Sequence, residues 1–327
     1  MRVLVVGPRF PDSFADNAVC ALEEMGHSTS AAPIVTVGRY LSLTQYAIRV
    51  VRERLSGDRA GRVDLALLAE ARRFMPDVIL SLTSDIHPEV LEQLSLGGRS
   101  RRILWWGDPP ANSQRWGLAN PHWDKIYIKD PDAVSKLRLI GADAELLHEA
   151  MNPRWHRPLA AAKNDDVAII GNYYGYRQAV ALRLLQRGVP LALYGVKPPA
   201  WSHPRIQSEW RGKYLSRDDK SRALGEALGC LNTFSLAEGR SLNCRAFETA
   251  GAGALQFIEN RPVVADCFEP GREILPFETF EELMSLIDRA RKHPDEMRTI
   301  REASARRALA EHTYRHRLER ILRATDA

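Results

Sequence analysis

Short apolar runs alternate with helical patterns along most of the chain. Mainly apolar runs of four to six residues predict strands at 3–6, 77–82, 102–106, 125–128, 144–147, 167–171, 191–194, 230–234 and 254–258. Apolar positions with a 3.6-residue period predict helices at 16–26, 39–55, 63–74, 88–96, 132–140, 177–187, 218–228, 281–292, 294–311 and 314–324. Because buried parallel strands consist of continuous apolar runs, this alternation predicts mostly parallel sheets covered by helices on both faces.

The alternation is interrupted at 149–165. This stretch, EAMNPRWHRPLAAAKND, is rich in proline and small residues and has no clear period, which is typical of an interdomain linker. A length of 327 residues also favours two domains. We therefore predict two tandem, doubly wound, Rossmann-like α/β domains, at 1–155 and 166–312, and a last helix in 313–327. Ligands bind outside the carboxyl ends of the strands in such sheets, so two such domains facing a cleft would place the site there.

Composition and charge limit the possible classes of protein but do not identify its ligand. The chain is 45% hydrophobic and 27% charged, so it can form ordinary cores. No apolar run approaches the ~20 residues of a membrane span, and the first residues lack a signal-peptide cleavage pattern, so we expect a cytoplasmic protein. Four scattered cysteines favour a reducing compartment over a disulfide framework or a zinc ribbon. The net charge of +5 suits an anionic small ligand, a nucleic acid or an anionic membrane surface.

The segment 241–257, SLNCRAFETAGAGALQF, carries the clearest chemical pattern. It predicts a helix opened by small polar residues, then a Gly/Ala turn and a buried strand. On that helix Ser241, Arg245 and Glu248 share one face. The free N–H groups of a helix N-terminus can hold phosphate, and a carboxylate two turns later can accept hydrogen bonds from sugar hydroxyls. An ordinary amphipathic helix with an Arg245–Glu248 ion pair is the alternative interpretation.

An ordered set of segments resembles a known family. The segments that carry the resemblance are 103–110 (ILWWGDPP), 123–158, 167–177 (VAIIGNYYGYR), 241–260, 267–287, 293–297 and 311–322. They are similar to the spore-maturation-type (CgeB-like) glycosyltransferases, relatives of the retaining family-4-type enzymes with the two-domain GT-B fold. The resemblance covers most of 77–322. It implies retaining, metal-independent transfer of a sugar from a nucleotide diphosphate sugar, bound by the C-terminal domain, to an acceptor on the N-terminal domain. It also implies that the last helix, in 313–327, packs back on the N-terminal domain.

The resemblance also assigns a role to Glu248. This residue matches the second glutamate of the family-4 E-x7-E pattern, which implies that it binds the ribose of the donor. The first glutamate of the pattern would fall at Arg240, so the chain departs from the family there. Glu238 lies two residues earlier. The departure places the role of the first carboxylate at the transferred sugar in question.

Glycosyl transfer requires stabilisation of the negative charge that develops on the leaving diphosphate. Arg177 follows the strand end at Gly171 and Asn172, and its forked guanidinium suits phosphate, so we predict a catalytic as well as a donor-binding role. A surface arginine at a helix start is the alternative interpretation. Arg245 adds charge there or pairs with Glu248. The predicted donor-binding residues are Gly171, Asn172, Arg177, Ser241, Leu242, Asn243, Arg245 and Glu248.

Two further candidate catalytic residues lie in the N-terminal half. Asp108 follows an apolar strand in the sequence WWGDPP, where a carboxylate could orient an acceptor hydroxyl or act as a base. His148 follows the strand 144–147, at the expected cleft edge. A turn aspartate and a structural histidine are the alternative interpretations of these two residues.

We predict no resident cofactor and no metal site, with the nucleotide sugar as co-substrate. Asp130-Pro131-Asp132 imitates a metal-binding DxD motif but lies at a helix start, where aspartate acts as a cap. His312 and His316 are four residues apart without a third ligand nearby in sequence, so we interpret them as helix-surface residues.

Three other functions remain open from the sequence. A nucleotide-sugar epimerase or hydrolase can have the same fold, and Arg240 would suit a non-catalytic protein that binds nucleotide sugars. The basic charge leaves room for a glycosyltransferase that acts on nucleic acid. The nucleobase, the sugar, the acceptor and the oligomeric state are not determined by the sequence.

Overall fold

A computed structural model of the protein describes residues 1–32, 62–113 and 116–323. The chain divides into two units, one formed by Met1–His148 with Leu318–Ala327 and the other by Glu149–Arg317. Each unit is built on one parallel sheet. The predicted helix at 39–55 lies outside the described residues.

The described part of the first unit contains a six-stranded sheet in the order β2-β1-β3-β4-β5-β6, with every neighbouring pair parallel. Its strands are β1 (Arg2–Val6), β2 (Ser28–Ala32), β3 (Val78–Ser81), β4 (Arg101–Trp106), β5 (Lys125–Ile128) and β6 (Ala144–Leu146). Its helices are α1 (Phe14–Glu24), α2 (Arg62–Phe74), α3 (Pro88–Gln93) and α4 (Pro131–Leu139). Strand β3 is buried at all four residues, as expected for a central strand covered on both faces.

The described part of the second unit contains a five-stranded parallel sheet in the order β11-β10-β9-β7-β8. Its strands are β7 (Val167–Ile170), β8 (Leu191–Tyr194), β9 (Gly229–Asn232), β10 (Gln256–Glu259) and β11 (Leu275–Phe277). The helices that follow are α5 (Gly175–Gln186), α6 (Pro204–Glu209), α7 (Arg217–Glu226), α8 (Cys244–Gly251), α9 (Pro262–Cys267), α10 (Phe280–Lys292), α11 (Pro294–Glu311) and α12 (Tyr314–Arg323). Helix α12 begins in the second unit, and its residues from Leu318 onward belong to the first.

Two parallel sheets with helices between their strands confirm the predicted α/β class. Strands β2 and β11 lie at sheet edges and escape prediction because of their composition, whereas the edge strands β6 and β8 fall within predicted apolar runs. The sequence of β2, STSAA, is mainly small and polar, and β11 contains Pro276. An edge strand has a ladder on one side only, so it tolerates residues that a central strand excludes.

The first residues of the segment predicted as a linker are packed in the protein interior. Ala150 and Met151 are buried. The Met151 amide donates to the His312 carbonyl at 2.9 Å, and the Tyr314 amide donates to the Met151 carbonyl at 3.0 Å. Both bonds lie in a parallel bridge between Met151 and Thr313. A single bridge has no repeating pattern, which explains why the sequence shows no period there.

No helix in the described parts of the chain has both the length and the apolar character needed to cross a membrane.

The second sheet depends on a close approach at Gly229. A Cβ atom at this position would lie 2.5 Å from Cε2 of the buried Phe257 ring. We therefore expect Gly229→Ala to lower the free energy of unfolding by about 1–3 kcal/mol, because the ring and its neighbours must shift. Gly175→Ala is the control, since nothing lies within 4 Å of its Cβ position. Chemical denaturation measures both, and equal stability of the two variants would contradict the prediction.

Candidate functional site

The carboxyl end of β7 brings two arginine side chains to one glycine. Gly171 follows β7 with a φ of +132°, and a Cβ atom there would lie 3.0 Å from Nη1 of Arg177 and 3.0 Å from Nη1 of Arg245. Its amide donates to the Tyr194 carbonyl at the end of β8. Next to it, a Cβ on Gly195 would overlap the Gly171 carbonyl oxygen. Glycine is therefore required at the point where both guanidinium groups meet the backbone.

The Arg177 guanidinium is buried and held by hydrogen bonds. Its Nε donates to Thr233 Oγ1 at 3.1 Å and its Nη2 to the Thr233 carbonyl at 2.9 Å. Nη2 also donates to the Tyr174 hydroxyl at 2.8 Å, and Nη1 donates to the Asn172 carbonyl at 2.5 Å. These four bonds leave one of the five guanidinium N–H groups, on the Nη1 atom beside Gly171.

Arg177 is 2% exposed, and burial together with the neighbouring Arg245 lowers its pKa to about 10. The group therefore stays positively charged at neutral pH. Arg245 is half-buried and, within the described part of the chain, pairs with no carboxylate. The Arg245–Glu248 ion pair that the spacing allows is not formed, because Glu248 pairs with Lys220 instead. Two neighbouring cations without a counterion create a positive potential that favours an anion.

Arg245 is the second residue of α8, so the N-terminus of this helix lies next to it in the chain. Asn243 is its N-cap, but the Asn243 side chain makes no capping hydrogen bond. It instead exchanges two hydrogen bonds with buried Asn232, at 2.9 and 3.0 Å. Asn232 also donates to Gln256, which in turn donates to the Ala246 carbonyl. This amide network leaves the first N–H groups of α8 without a side-chain cap, so they can receive an anion.

The predicted start of this helix is wrong by one turn. The helix begins at Cys244, so Ser241 and Leu242 precede it instead of occupying its first positions. Ser241 and Leu242 are both fully buried, and the Ser241 hydroxyl donates to the Glu238 carboxylate at 2.6 Å. Of the three side chains predicted on one helix face, only Arg245 and Glu248 share the helix, three residues apart.

One residue of this region was missed at the sequence level. Arg261 follows β10, and its Nη1 atom donates to the carbonyls of Glu238 at 3.2 Å, of Ser241 at 3.3 Å and of Gly239. Its guanidinium also stacks 3.9 Å from the centroid of the Phe234 ring. Burial lowers the pKa of Arg261. This side chain fixes the loop that leads into α8, and no local pattern in the sequence reveals it.

Glu248 is 6% exposed and has a defined cationic partner. Its Oε1 atom accepts a hydrogen bond from Lys220 Nζ on α7 at 3.1 Å. His156 Nε2 lies 3.8 Å from the same oxygen. A buried carboxylate held in this way has a fixed position on α8.

The remaining candidates belong to the first unit. Asp108 is exposed in the loop after β4, and its carboxylate makes no hydrogen bond or ion pair with the residues that the structure describes. His148 is half-buried, shortly after β6, and is the last residue of the N-terminal segment of this unit. The structure thus groups Gly171, Asn172, Arg177 and Arg245 in the second unit and leaves Asp108 and His148 in the first.

The motifs that imitate metal ligands have structural roles. Asp130 is the N-cap of α4 and accepts a hydrogen bond from the Ala133 amide at 2.9 Å. The interpretation of His312 as a helix-surface residue is wrong. His312 is 6% exposed, its Nε2 lies 2.8 Å from the Cys267 carbonyl, and its ring packs 5.0 Å from that of Phe247. Its position at the end of α11 allows it to enter the core.

Comparisons with known proteins place these features in a family. Residues 153–323 match the model of the family described as glycosyl transferase-like. No curated protein matches the chain.

Solved structures show the same fold over the whole chain. HepE from Anabaena, in complex with UDP and glucose, is 10% identical, with 100% of this chain and 99% of that chain covered and a TM-score of 0.70. Sucrose-phosphate synthase from Thermosynechococcus elongatus is 11% identical, with 99% of each chain covered and a TM-score of 0.68. AviGT4, a glycosyltransferase involved in avilamycin A biosynthesis, is 15% identical, with 99% and 97% covered and a TM-score of 0.63. These likenesses confirm the predicted GT-B fold.

Replacing Arg245 tests whether the two guanidinium groups form an anion site. Arg245→Gln removes a like charge from beside Arg177, so we expect the free energy of unfolding at low salt to rise by about 0.5 kcal/mol. We also expect pyrophosphate to stabilise the variant less than the original protein. Thermal denaturation with and without pyrophosphate measures both effects. Arg183→Gln on α5 is the control, because Arg183 pairs with Glu281. Equal stabilisation of all three proteins by pyrophosphate would refute the anion site.

Proposed function

The chain belongs to the glycosyl transferase-like family, and we propose that it transfers a sugar from a nucleotide diphosphate sugar to an acceptor nucleophile. UDP is the first nucleotide to consider, because the similar HepE structure contains UDP and glucose. Within this family we propose the spore-maturation-type (CgeB-like) branch, on the ordered segments that resemble it.

The observation that carries the proposal is the pair of guanidinium groups at Gly171. Arg177 and Arg245 each place Nη1 3.0 Å from the position that a Cβ atom would take on this glycine. Neither has a carboxylate partner among the described residues, and the N-terminus of α8 has no side-chain cap. A diphosphate would receive charge-assisted hydrogen bonds from both side chains and N–H groups from the helix. These groups stabilise the charge of the leaving nucleoside diphosphate.

Glu248 extends the same site toward the ribose. It lies three residues after Arg245 on α8, and therefore about one turn, roughly 5 Å, along the helix. Diphosphate and ribose are adjacent in a nucleotide sugar, so one helix can present a cation to the first and a carboxylate to the second. Lys220 holds that carboxylate at 3.1 Å.

On the acceptor side we propose Asp108 as the group that orients or deprotonates the acceptor nucleophile. Its exposed carboxylate is not engaged by the described residues, so it can receive a hydroxyl proton. His148 is the second candidate for this role. We further propose that transfer retains configuration and needs no metal, since two guanidinium groups supply the positive charge that a metal would otherwise provide.

A non-catalytic protein that binds nucleotide sugars is the second candidate function. It is favoured by Arg240, which stands where the family-4 pattern has its first glutamate. Arg240 lies in the exposed loop before α8 and would bring a positive charge where a carboxylate is expected. Turnover of a donor separates this function from transfer, and turnover without any acceptor indicates an epimerase or a hydrolase.

Nucleotide-sugar binding tests the proposal directly. We expect one sugar nucleotide among UDP, GDP, dTDP, ADP and CMP sugars to raise the melting temperature, since ligand at ~100 times Kd adds roughly 2.7 kcal/mol of stability. The shift is expected to be the same with magnesium and with EDTA. Glu248→Gln is expected to weaken binding by about tenfold, because a charged acceptor to the ribose is lost.

The control for this experiment is Glu281→Gln, an exposed carboxylate of the second unit. Each variant is compared with its own ligand-free melting temperature, which separates loss of binding from loss of stability. If no sugar nucleotide binds, or if Glu248→Gln and Glu281→Gln bind equally well, the assigned donor site is wrong.

A further inference from the structure

The second unit has a separate cavity of about 340 Å³ at the amino-terminal edge of its sheet. Lys163, which precedes β7, lines the cavity together with Arg298 and Arg301 of α11. Gly171 lies beyond the other end of β7, and a four-residue strand spans roughly 13 Å. The cavity is therefore distinct from the site at the carboxyl edge.

Arg301 has donor capacity that the protein does not use. Its Nη2 donates to the Leu228 carbonyl at 2.6 Å. Its Nε is buried and has no hydrogen-bond partner among the described residues. Burial lowers the pKa of Arg301. The bond to Leu228 uses one of the five guanidinium N–H groups, so the Arg301 side chain that lines the cavity keeps donors for a further acceptor.

Lys163 also has hydrogen-bond donors that the protein does not use. Its ammonium group donates to the Gly225 carbonyl near the end of α7, and an ammonium has three donors. Burial and the positive charge of Arg301 lower the pKa of Lys163 to about 8. The Gly225 carbonyl lies in the last turn of α7 and the Leu228 carbonyl lies between α7 and β9, so each cation has one carbonyl partner that does not neutralise its charge.

The two carboxylates that line the cavity pair with arginines other than Arg301, and one of those arginines, Arg298, lines the cavity too. Asp295 pairs with Arg298 at 2.9 Å, and Glu302 lies 4.0 Å from Arg306. Neither forms an ion pair with Lys163 or Arg301 within the described chain. After these pairs are assigned, the cavity keeps the charges of Lys163 and Arg301 without a counterion.

We propose that this cavity binds a small phosphate-bearing anion, either free phosphate or a phosphorylated metabolite. The anion would accept hydrogen bonds from the Lys163 ammonium and the Arg301 guanidinium and would offset the repulsion between them. A volume of about 340 Å³ admits a phosphate group with a substituent of monosaccharide size. The proposal does not depend on the proposed transferase function.

Calorimetric titration of the full chain with inorganic phosphate tests the proposal. All variants carry Arg245→Gln, so that phosphate binding at the carboxyl edge is weakened. We expect Lys163→Gln and Arg301→Gln each to reduce phosphate affinity about tenfold. Arg222→Gln is the matched control, because it removes an exposed arginine from α7 and is expected to change the affinity less than about twofold.

A titration with a sugar phosphate identifies the source of the phosphate group, and a conservative variant separates loss of binding from misfolding. Tighter binding of a hexose 6-phosphate than of phosphate, with no binding of the neutral hexose, assigns a phosphorylated metabolite, whereas equal affinities assign free phosphate. Arg301→Lys keeps the charge and is expected to retain more affinity than Arg301→Gln. If Lys163→Gln and Arg301→Lys both fold and all variants bind phosphate as tightly as the Arg222→Gln control, the proposal is overturned.

Discussion

The second unit is organised around two like charges that meet at Gly171. A buried guanidinium is unfavourable unless its donors are satisfied. Thr233, Asn172 and Tyr174 supply four acceptors to Arg177, so the chain keeps it buried and charged even though its pKa falls to about 10. The backbone at Gly171 fits this arrangement, because its φ of +132° favours glycine and a Cβ atom there would lie only 3.0 Å from Nη1 of both Arg177 and Arg245. The remaining unfavourable contribution, the repulsion between the two arginines, is one that a bound anion removes.

Contacts with strand β9 leave the first N–H groups of α8 without a side-chain cap. An N-cap asparagine ordinarily uses its side chain to satisfy the first helical N–H groups. Asn243 cannot do so, because Asn232 of β9 engages both ends of its amide. Arg261 holds the preceding loop through hydrogen bonds to three of its carbonyl groups. The absence of a side-chain cap on α8 is thus a consequence of how the sheet binds the cap residue, and the proposed anion site is supported by rigid elements.

The sequence predicts those parts of this arrangement that depend on local pattern. Central parallel strands are buried on both faces, so their apolar runs identify them, whereas the edge strands β2 and β11 carry little signal. Arg177 was identifiable because it follows a Gly-Asn strand end by a few residues. The start of α8 was not, because Arg261, 17 residues beyond Cys244, holds Ser241 outside the helix. The pairing of Glu248 with Lys220 likewise joins residues of two helices, 28 positions apart, and cannot be derived from helical spacing.

The low identity to proteins of the same fold separates what the fold requires from what the chemistry requires. At 10–15% identity, the shared features are parallel strands and the helices that cover them, which many apolar sequences can form. The charges are more demanding, because the buried guanidinium of Arg177 depends on its four acceptors. An exposed Arg240 is subject to no such packing constraint. In the proposed donor site, Arg240 in place of the first family-4 glutamate would therefore change the chemistry at the transferred sugar without disturbing Gly171, Arg177 and α8, the elements proposed to hold the diphosphate.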